Sequence, residues 1–235
     1  MAEQVKSKQR VVDHGEVFTN EREVNAMLDL VKQETERIDS RFLEPACGNG
    51  NFLAEILRRK IEVVKRNYKK SPHDFEKYMI VAITSIYGVE LQADNVEECR
   101  ERLFDIWNEE YTKNCSEASD EVREVAKFIF RRNILQGNAL SLVKVDMAGN
   151  DIPDDYITFS EWSLVMGDKI KRRDFRLDVL LRENDDEENY SMNFSLFDDA
   201  TNTNLWETDP ITNEVIPKPI QEYPLTDYRR LNDYE

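Results

Sequence analysis

Three short apolar runs, RFLEP at 41–45, YGVEL at 87–91 and NILQGNAL at 133–140, alternate with long segments of helical period, and that alternation leaves few folds open. Between the first two runs, NFLAEILRRKIEVVKRN places Phe52, Leu53, Ile56, Leu57, Ile61 and Val64 on one helical face, and HDFEKYMIVAITSI at 73–86 predicts a second helix. Between the second and third, QADNVEECRERLFDIWNEEY turns Val96, Cys99, Leu103, Ile106 and Trp107 inward, and SEASDEVREVAKFIFRR does the same with Val122, Val125 and Phe128. A further helix precedes them at 21–37, with Val24, Met27, Leu28 and Val31 in period and Thr19 and Asn20 as candidate caps. Strands separated by helices imply an α/β domain with a parallel sheet, in which ligands sit beyond the carboxyl ends of the strands.

After Leu140 the alternation stops. DMAGNDIPDD is rich in turn formers, YITFSEWSLV has the pattern of a strand, and KIKRRDFRLDVLLR is expected as a short basic helix. The sequence divides into a domain at 1–182 and an acidic extension at 183–235, expected to be partly disordered or to dock on a partner through Phe194, Leu196, Phe197, Leu205, Trp206, Tyr223 and Tyr228. The extension holds 14 acidic and 3 basic residues, a net −11 of the total −16, so the domain itself carries −5. Cys47, Cys99 and Cys115 are odd in number and lack metal-type spacing; with two histidines in the chain, neither a disulfide framework nor a metal site is expected. No window reaches the ~20 apolar residues of a membrane span, and MAEQVKSKQR is polar where a signal peptide is apolar. A cytoplasmic protein without membrane contact is the expectation.

The first strand runs into a loop with two glycines, EPACGNGNF. Glycine lets the chain turn sharply and lets a ligand lie against bare backbone. A dinucleotide fingerprint requires a third glycine, where this chain has Leu53, and a phosphate-binding P-loop requires GK[ST], which is missing. A ligand without phosphates, held by backbone and a carboxylate, fits better.

FLEPACGNGNFLAEIL at 42–57 resembles the first motif of S-adenosylmethionine-dependent DNA methyltransferases of the adenine-N6, restriction-modification type. HGEVFTN at 14–20 resembles the segment that precedes the cofactor domain in circularly arranged members. GVEL at 88–91 resembles the acidic end of the second strand and LQGNAL at 135–140 the third, so the likeness covers roughly residues 10–142 in the family's order. It implies a Rossmann-like methyltransferase sheet that is incomplete here, with strands one to three and YITFSEW as a candidate fourth, plus an N-terminal helix and an irregular acidic extension. S-adenosylmethionine is the implied cofactor. Glu90 is the residue implied for the ribose hydroxyls, with Leu91 beside it. Glu44, Pro45, Ala46, Cys47, Gly48, Gly50 and Phe52 would line the methionine portion, Cys47 as a small filler. Thr19 and Phe18 would face the amino acid head. Asn138, with Ala139, stands where the family usually has an aspartate for the adenine amino group; an amide carbonyl can also accept there. The separation of 46 positions from Glu44 to Glu90 exceeds the ~20 of a dinucleotide site, and the extra helix at 73–86 accounts for it.

The family's Asn-Pro-Pro-Tyr loop, which holds a flipped adenine, is not in the sequence; TDPITN at 208–213 lacks the second proline and the aromatic. No catalytic residue is therefore assigned. The resemblance implies the cofactor-binding subunit of a split adenine-N6 methyltransferase, in which a second subunit brings that loop and DNA is met through the complex; homo-oligomerisation stays open. The alternative is a non-catalytic regulatory protein on a relic fold, its acidic extension mimicking DNA. The candidate phosphate contacts are Lys171, Arg172 and Arg173, flanked by Lys169 and Arg176.

Overall fold

The structure is a computed structural model and describes residues 6, 9, 10, 12, 19–181, 205–210 and 212–235. Helix α1 (Glu21–Leu30) starts where Asn20 accepts from the Glu23 N–H at 3.0 Å, so the cap is Asn20, not Thr19; a one-turn helix, α2 (Lys32–Thr35), follows. The chain then enters β1 (Phe42–Glu44), α3 (Asn51–Tyr68), α4 (Pro72–Thr84) and β2 (Ile86–Glu90). Next come α5 (Ala93–Asn114), α6 (Asp120–Asn133) and β3 (Ile134–Gln136).

The three strands form one parallel sheet in the order β1-β2-β3, with Phe42 opposite Ile86, Glu44 opposite Gly88 and Glu90 opposite Gln136. Tyr87 and Val89 are buried with Leu53, Leu57 and Ile61 from α3, and Trp107 and Phe128 from α5 and α6 close the same core. α4 is apolar almost all round, from Phe75 to Ile83, because it is enclosed by α3, α6 and the later strand Thr158–Met166. Lys60, on α3, is fully buried and donates to the carbonyls of Arg37, Ile38 and Ser40 and to Ser85 Oγ. One ammonium thus ties the lead-in to β1 to the lead-in to β2.

The second half of the chain departs from expectation in three places. β4 (Val143–Val145) and β5 (Asp151–Tyr156) make a hairpin, and β6 (Thr158–Met166) follows. β6 pairs antiparallel with β7 (Lys169–Arg176), not with β1, so YITFSEW is not a fourth strand of the parallel sheet. The stretch expected as a helix at 169–182 is strand as far as Arg176, with one helical turn, α7 (Leu177–Leu180). Its period of two was hidden because two of its inward positions, Arg172 and Asp174, are charged and satisfy each other at 3.0 Å.

Thirdly, much of the acidic extension is built into the body. β8 (Trp206–Thr208) and β9 (Val215–Pro217) form a hairpin, while β10 (Gln221–Glu222) and β11 (Thr226–Asp227) pair with β7. A 3-10 helix at Tyr228–Asp233 lies on α6. Tyr228 is buried and donates to Glu76 Oε1 at 2.8 Å, so this aromatic docks on its own chain. Phe194, Leu196 and Phe197 lie outside the described residues. No described helix is long and apolar enough to cross a membrane.

Candidate functional site

The carboxyl ends of the three parallel strands meet at one residue. β1 delivers Glu44 into the Pro45–Gly50 turn, closed by the Cys47 N–H to the Val89 carbonyl (3.0 Å) and the Gly50 N–H to the Cys47 carbonyl (2.8 Å). Gly48 and Gly50 are left-handed, at φ 52° and 86°. From β2, the Glu90 carboxylate accepts from the Gly48 N–H at 2.9 Å and the Gln92 N–H at 2.9 Å, and more loosely from Asn95 Nδ2 at 3.4 Å. Its backbone carbonyl accepts from the Gly137 N–H at 3.0 Å. Glu90 therefore fastens the glycine loop after β1 and the turn after β3 to the end of β2.

The glycines serve packing as well as any ligand. A Cβ on Gly50 would lie 2.7 Å from Cys99 Sγ of α5, and one on Gly88 would lie 2.8 Å from Cys47 Sγ. The hydrogen bond to Cys99, with burial, pushes the Cys47 thiol up and keeps it protonated, which suits a filler and not a nucleophile. Burial raises Glu44, although a backbone hydrogen bond from Ala46 draws it back.

One face of α5 moulds the loop. Asn95, Glu98, Cys99 and Arg102 recur at helical spacing; Glu98 accepts from Asn49 Nδ2 at 2.9 Å, and Arg102 donates to Asn51 Oδ1 at 2.6 Å. Asn51 Nδ2 in turn donates to the Thr19 carbonyl at 2.9 Å, which brings Thr19 to the loop through its backbone. Lys6 and Arg10 pair with Asp94 on the same helix, Arg10 at 2.5 Å, and the hydrogen bond from Arg10 leads in holding Asp94 down to about 2. Sequence reading missed Asn49, Asn95, Glu98 and Arg102. The usable signal was the polar i, i+3, i+7 series that begins five residues after Glu90.

Pro45 and Ala46 are exposed in the turn, while Phe52 and Leu91 are half-buried beside it. Ala139 packs against the core. Asn138 Oδ1 already accepts from the Leu140 N–H at 3.0 Å, and its Nδ2 donates to Asp151 at 2.9 Å, so the acceptor expected to meet adenine is engaged locally. Phe18 lies outside the described residues.

The basic series on β7 is not gathered into an exposed basic face. Arg172 is 3% exposed, with its guanidinium 3.9 Å from the Tyr223 ring centroid, and is out of reach of a phosphate. Lys171 pairs with Glu222 at 2.7 Å, Arg173 with Glu161 at 2.5 Å and Arg176 with Asp178 at 2.7 Å. Among the described residues no group of three His, Cys, Asp or Glu side chains could hold a metal ion.

Two buried carbonyls beside the loop, Asn49 Oδ1 and Asn95 Oδ1, have no hydrogen-bond donor. With the Glu90 carboxylate they make a region rich in acceptors, which suits a ligand that carries hydroxyl or ammonium donors and no phosphate. A family model described as MmeI, DNA-methyltransferase domain, matches residues 17–155. No match is found among curated proteins or among solved structures.

Proposed function

The chain belongs to the family of the MmeI DNA-methyltransferase domain, and from that membership we propose that it is the S-adenosylmethionine-binding part of an adenine-N6 DNA methyltransferase of the restriction-modification type. The observation that carries the reading is the Glu90 junction: the three stretches that resemble the family's cofactor motifs converge on one residue at the ends of a parallel sheet, two through its carboxylate and backbone on β2 and the third through its backbone carbonyl. In this reading the sheet is the Rossmann-like core of the methyltransferase. Glu90 holds the ribose hydroxyls, the backbone of residues 47–50 faces the methionine portion, and Asn49 supplies a further acceptor. Bound S-adenosylmethionine supplies a methyl group on a sulfonium. The protein's contribution is to fix that group in place and keep the surrounding loop rigid.

Residues 1–235 carry no Asn-Pro-Pro-Tyr loop. The proposal assigns that loop and the DNA-reading surface to a second polypeptide, which also covers the outer edge of β1. Two features support a partner there: β1 has no neighbour on that side among the described residues, and a cavity of about 390 Å³ lined by Phe42, Leu43, Tyr87, Phe159, Leu177 and Ile216 lies beside it.

Titration calorimetry on the full chain tests the cofactor reading. A Kd of roughly 10 µM for S-adenosylmethionine, about −7 kcal/mol, is expected. No heat from a protein that melts cooperatively would instead favour the regulatory alternative. Co-expression with a neighbouring Asn-Pro-Pro-Tyr protein, followed by a methylation-sensitive digest of the host DNA, tests the split.

A further inference from the structure

The first turn of α5 contains a polar group that the free protein leaves unused. Asn95 is 1% exposed; its Nδ2 donates to Glu90 Oε1 at 3.4 Å, and its Oδ1 has no donor. Buried carbonyls in native proteins are almost always satisfied, and one that is not calls for a reason. Folding does not provide it. Glu90 is already held by the N–H groups of Gly48 and Gln92 at 2.9 Å each, so the longer contact from Asn95 adds little to its position. The neighbouring buried positions on this helix are the apolar Val96, Cys99 and Leu103, among which an aliphatic side chain would leave nothing unpaired.

Asn49, between the two loop glycines, repeats the pattern: its Nδ2 donates to Glu98 at 2.9 Å and its Oδ1 is without a donor. The ligand that completes such a site must bring donors, and the pair of donors that suits a carboxylate beside an amide carbonyl is a vicinal diol. An asparagine amide turns about a broad terminal torsion. A half-turn at Asn95 puts Oδ1 where Nδ2 now faces Glu90, so that one hydroxyl of a diol can donate to the Glu90 carboxylate and its neighbour to the Asn95 carbonyl.

We propose that Asn95 is a ligand-binding residue whose carbonyl accepts from a sugar hydroxyl next to Glu90, and that the position is asparagine for this contact and not for folding. The assignment rests on the S-adenosylmethionine reading and extends it to a residue on the helix, outside the glycine loop and the strand end.

The test separates binding from folding. Asn95→Leu removes the unsatisfied carbonyl, so its melting temperature should be unchanged or higher, while its affinity for S-adenosylmethionine and for adenosine falls about tenfold. With 2′,3′-dideoxyadenosine as the probe, wild type and variant should bind alike. A residue with a purely structural role would lower the melting temperature and weaken all three ligands together. Unchanged affinity for adenosine in Asn95→Leu, or an equal loss with the dideoxy compound, would overturn the assignment. If the leucine variant does not fold, Asn95→Ser serves for the same comparison. Wild-type protein that binds no adenosine compound would bring down the cofactor reading together with this one, whereas equal binding by wild type and variant would bring down this one alone.

Discussion

At the scale of single residues, Gly50 and Glu90 do different work, and two substitutions separate it. Gly50 is left-handed at φ 86°, and a Cβ there would sit 2.7 Å from Cys99 Sγ. Gly50→Ala should therefore destabilise the fold by about 2–5 kcal/mol, from ~1–2 of left-handed strain and ~1–3 of overpacking. Adding Cys99→Ala relieves only the steric part, so the double variant should recover about half of the loss in a urea titration; full additivity would mean that the thiol is not what the methyl meets. Glu90, in the proposed reading, acts on the ligand as well as on the loop it fastens. Glu90→Gln exchanges an acceptor facing the Gly48 and Gln92 N–H groups for an amide that can satisfy only one of them, and it removes the charge that favours sugar hydroxyls. S-adenosylmethionine affinity should fall at least about tenfold, roughly 1.4 kcal/mol, in the same calorimetric titration.

Among the elements, those of the first half were legible because each carries a single period. α3 and α6 put apolar residues on one face, and β2 is a short apolar run that ends in an acid, so there the sequence pattern and the burial agree; β1 has the same pattern, but as an edge strand it leaves Leu43 exposed. β7 defied reading because Arg172 and Asp174, two residues apart on the same strand, point inward as a pair, and composition reads the stretch as a basic helix. The C-terminal strands were unreadable for another reason: β10 and β11 are two residues each and exist only because β7 offers them an edge. The site was legible where chemistry sits in a loop and obscure where it sits on α5, since Asn95 and Arg102 look like ordinary helix-surface residues until the loop is folded against them. Lys60 is a similar case, a lysine on the buried face of α3. Burial lowers it to about 7, and three carbonyls accept from it. Below pH 7 both the folded and the unfolded chain hold this proton; between about 7 and 10.5 only the unfolded chain does, so stability must rise with pH across that window. Measured against Lys60→Met, wild type should gain up to about 1.4 kcal/mol per pH unit from pH 7.5 to 9.5 in urea unfolding. A difference that stays flat with pH would show the ammonium persisting, stabilised by its carbonyls.

For the whole molecule, both outer strands of the parallel sheet lack a strand neighbour among the described residues, and the edge of β1 is the one that lies beside an apolar cavity. Among the helices the chain closes on itself: Glu76 of α4 accepts from Tyr111, Tyr228 and Arg229, and so clamps α4, α5 and the C-terminal 3-10 helix into one body. Beyond β1 no described strand follows, and Leu43, at its centre, is 39% exposed. An exposed apolar strand edge is a template for another chain, which proteins normally blunt with charge. Leu43→Glu installs such a charge at a position that already meets solvent, so the lone chain should keep its melting temperature and its S-adenosylmethionine affinity within about 0.5 kcal/mol. If a partner strand adds to β1, the same change puts a carboxylate at the seam. Co-purification of an Asn-Pro-Pro-Tyr partner, and the DNA methylation that depends on it, should then fall by an order of magnitude or more, about 1.4 kcal/mol or above. A complex that assembles and methylates as well with Leu43→Glu as without it would place the partner on some other face, and would leave the open edge of this sheet as a property of the single chain.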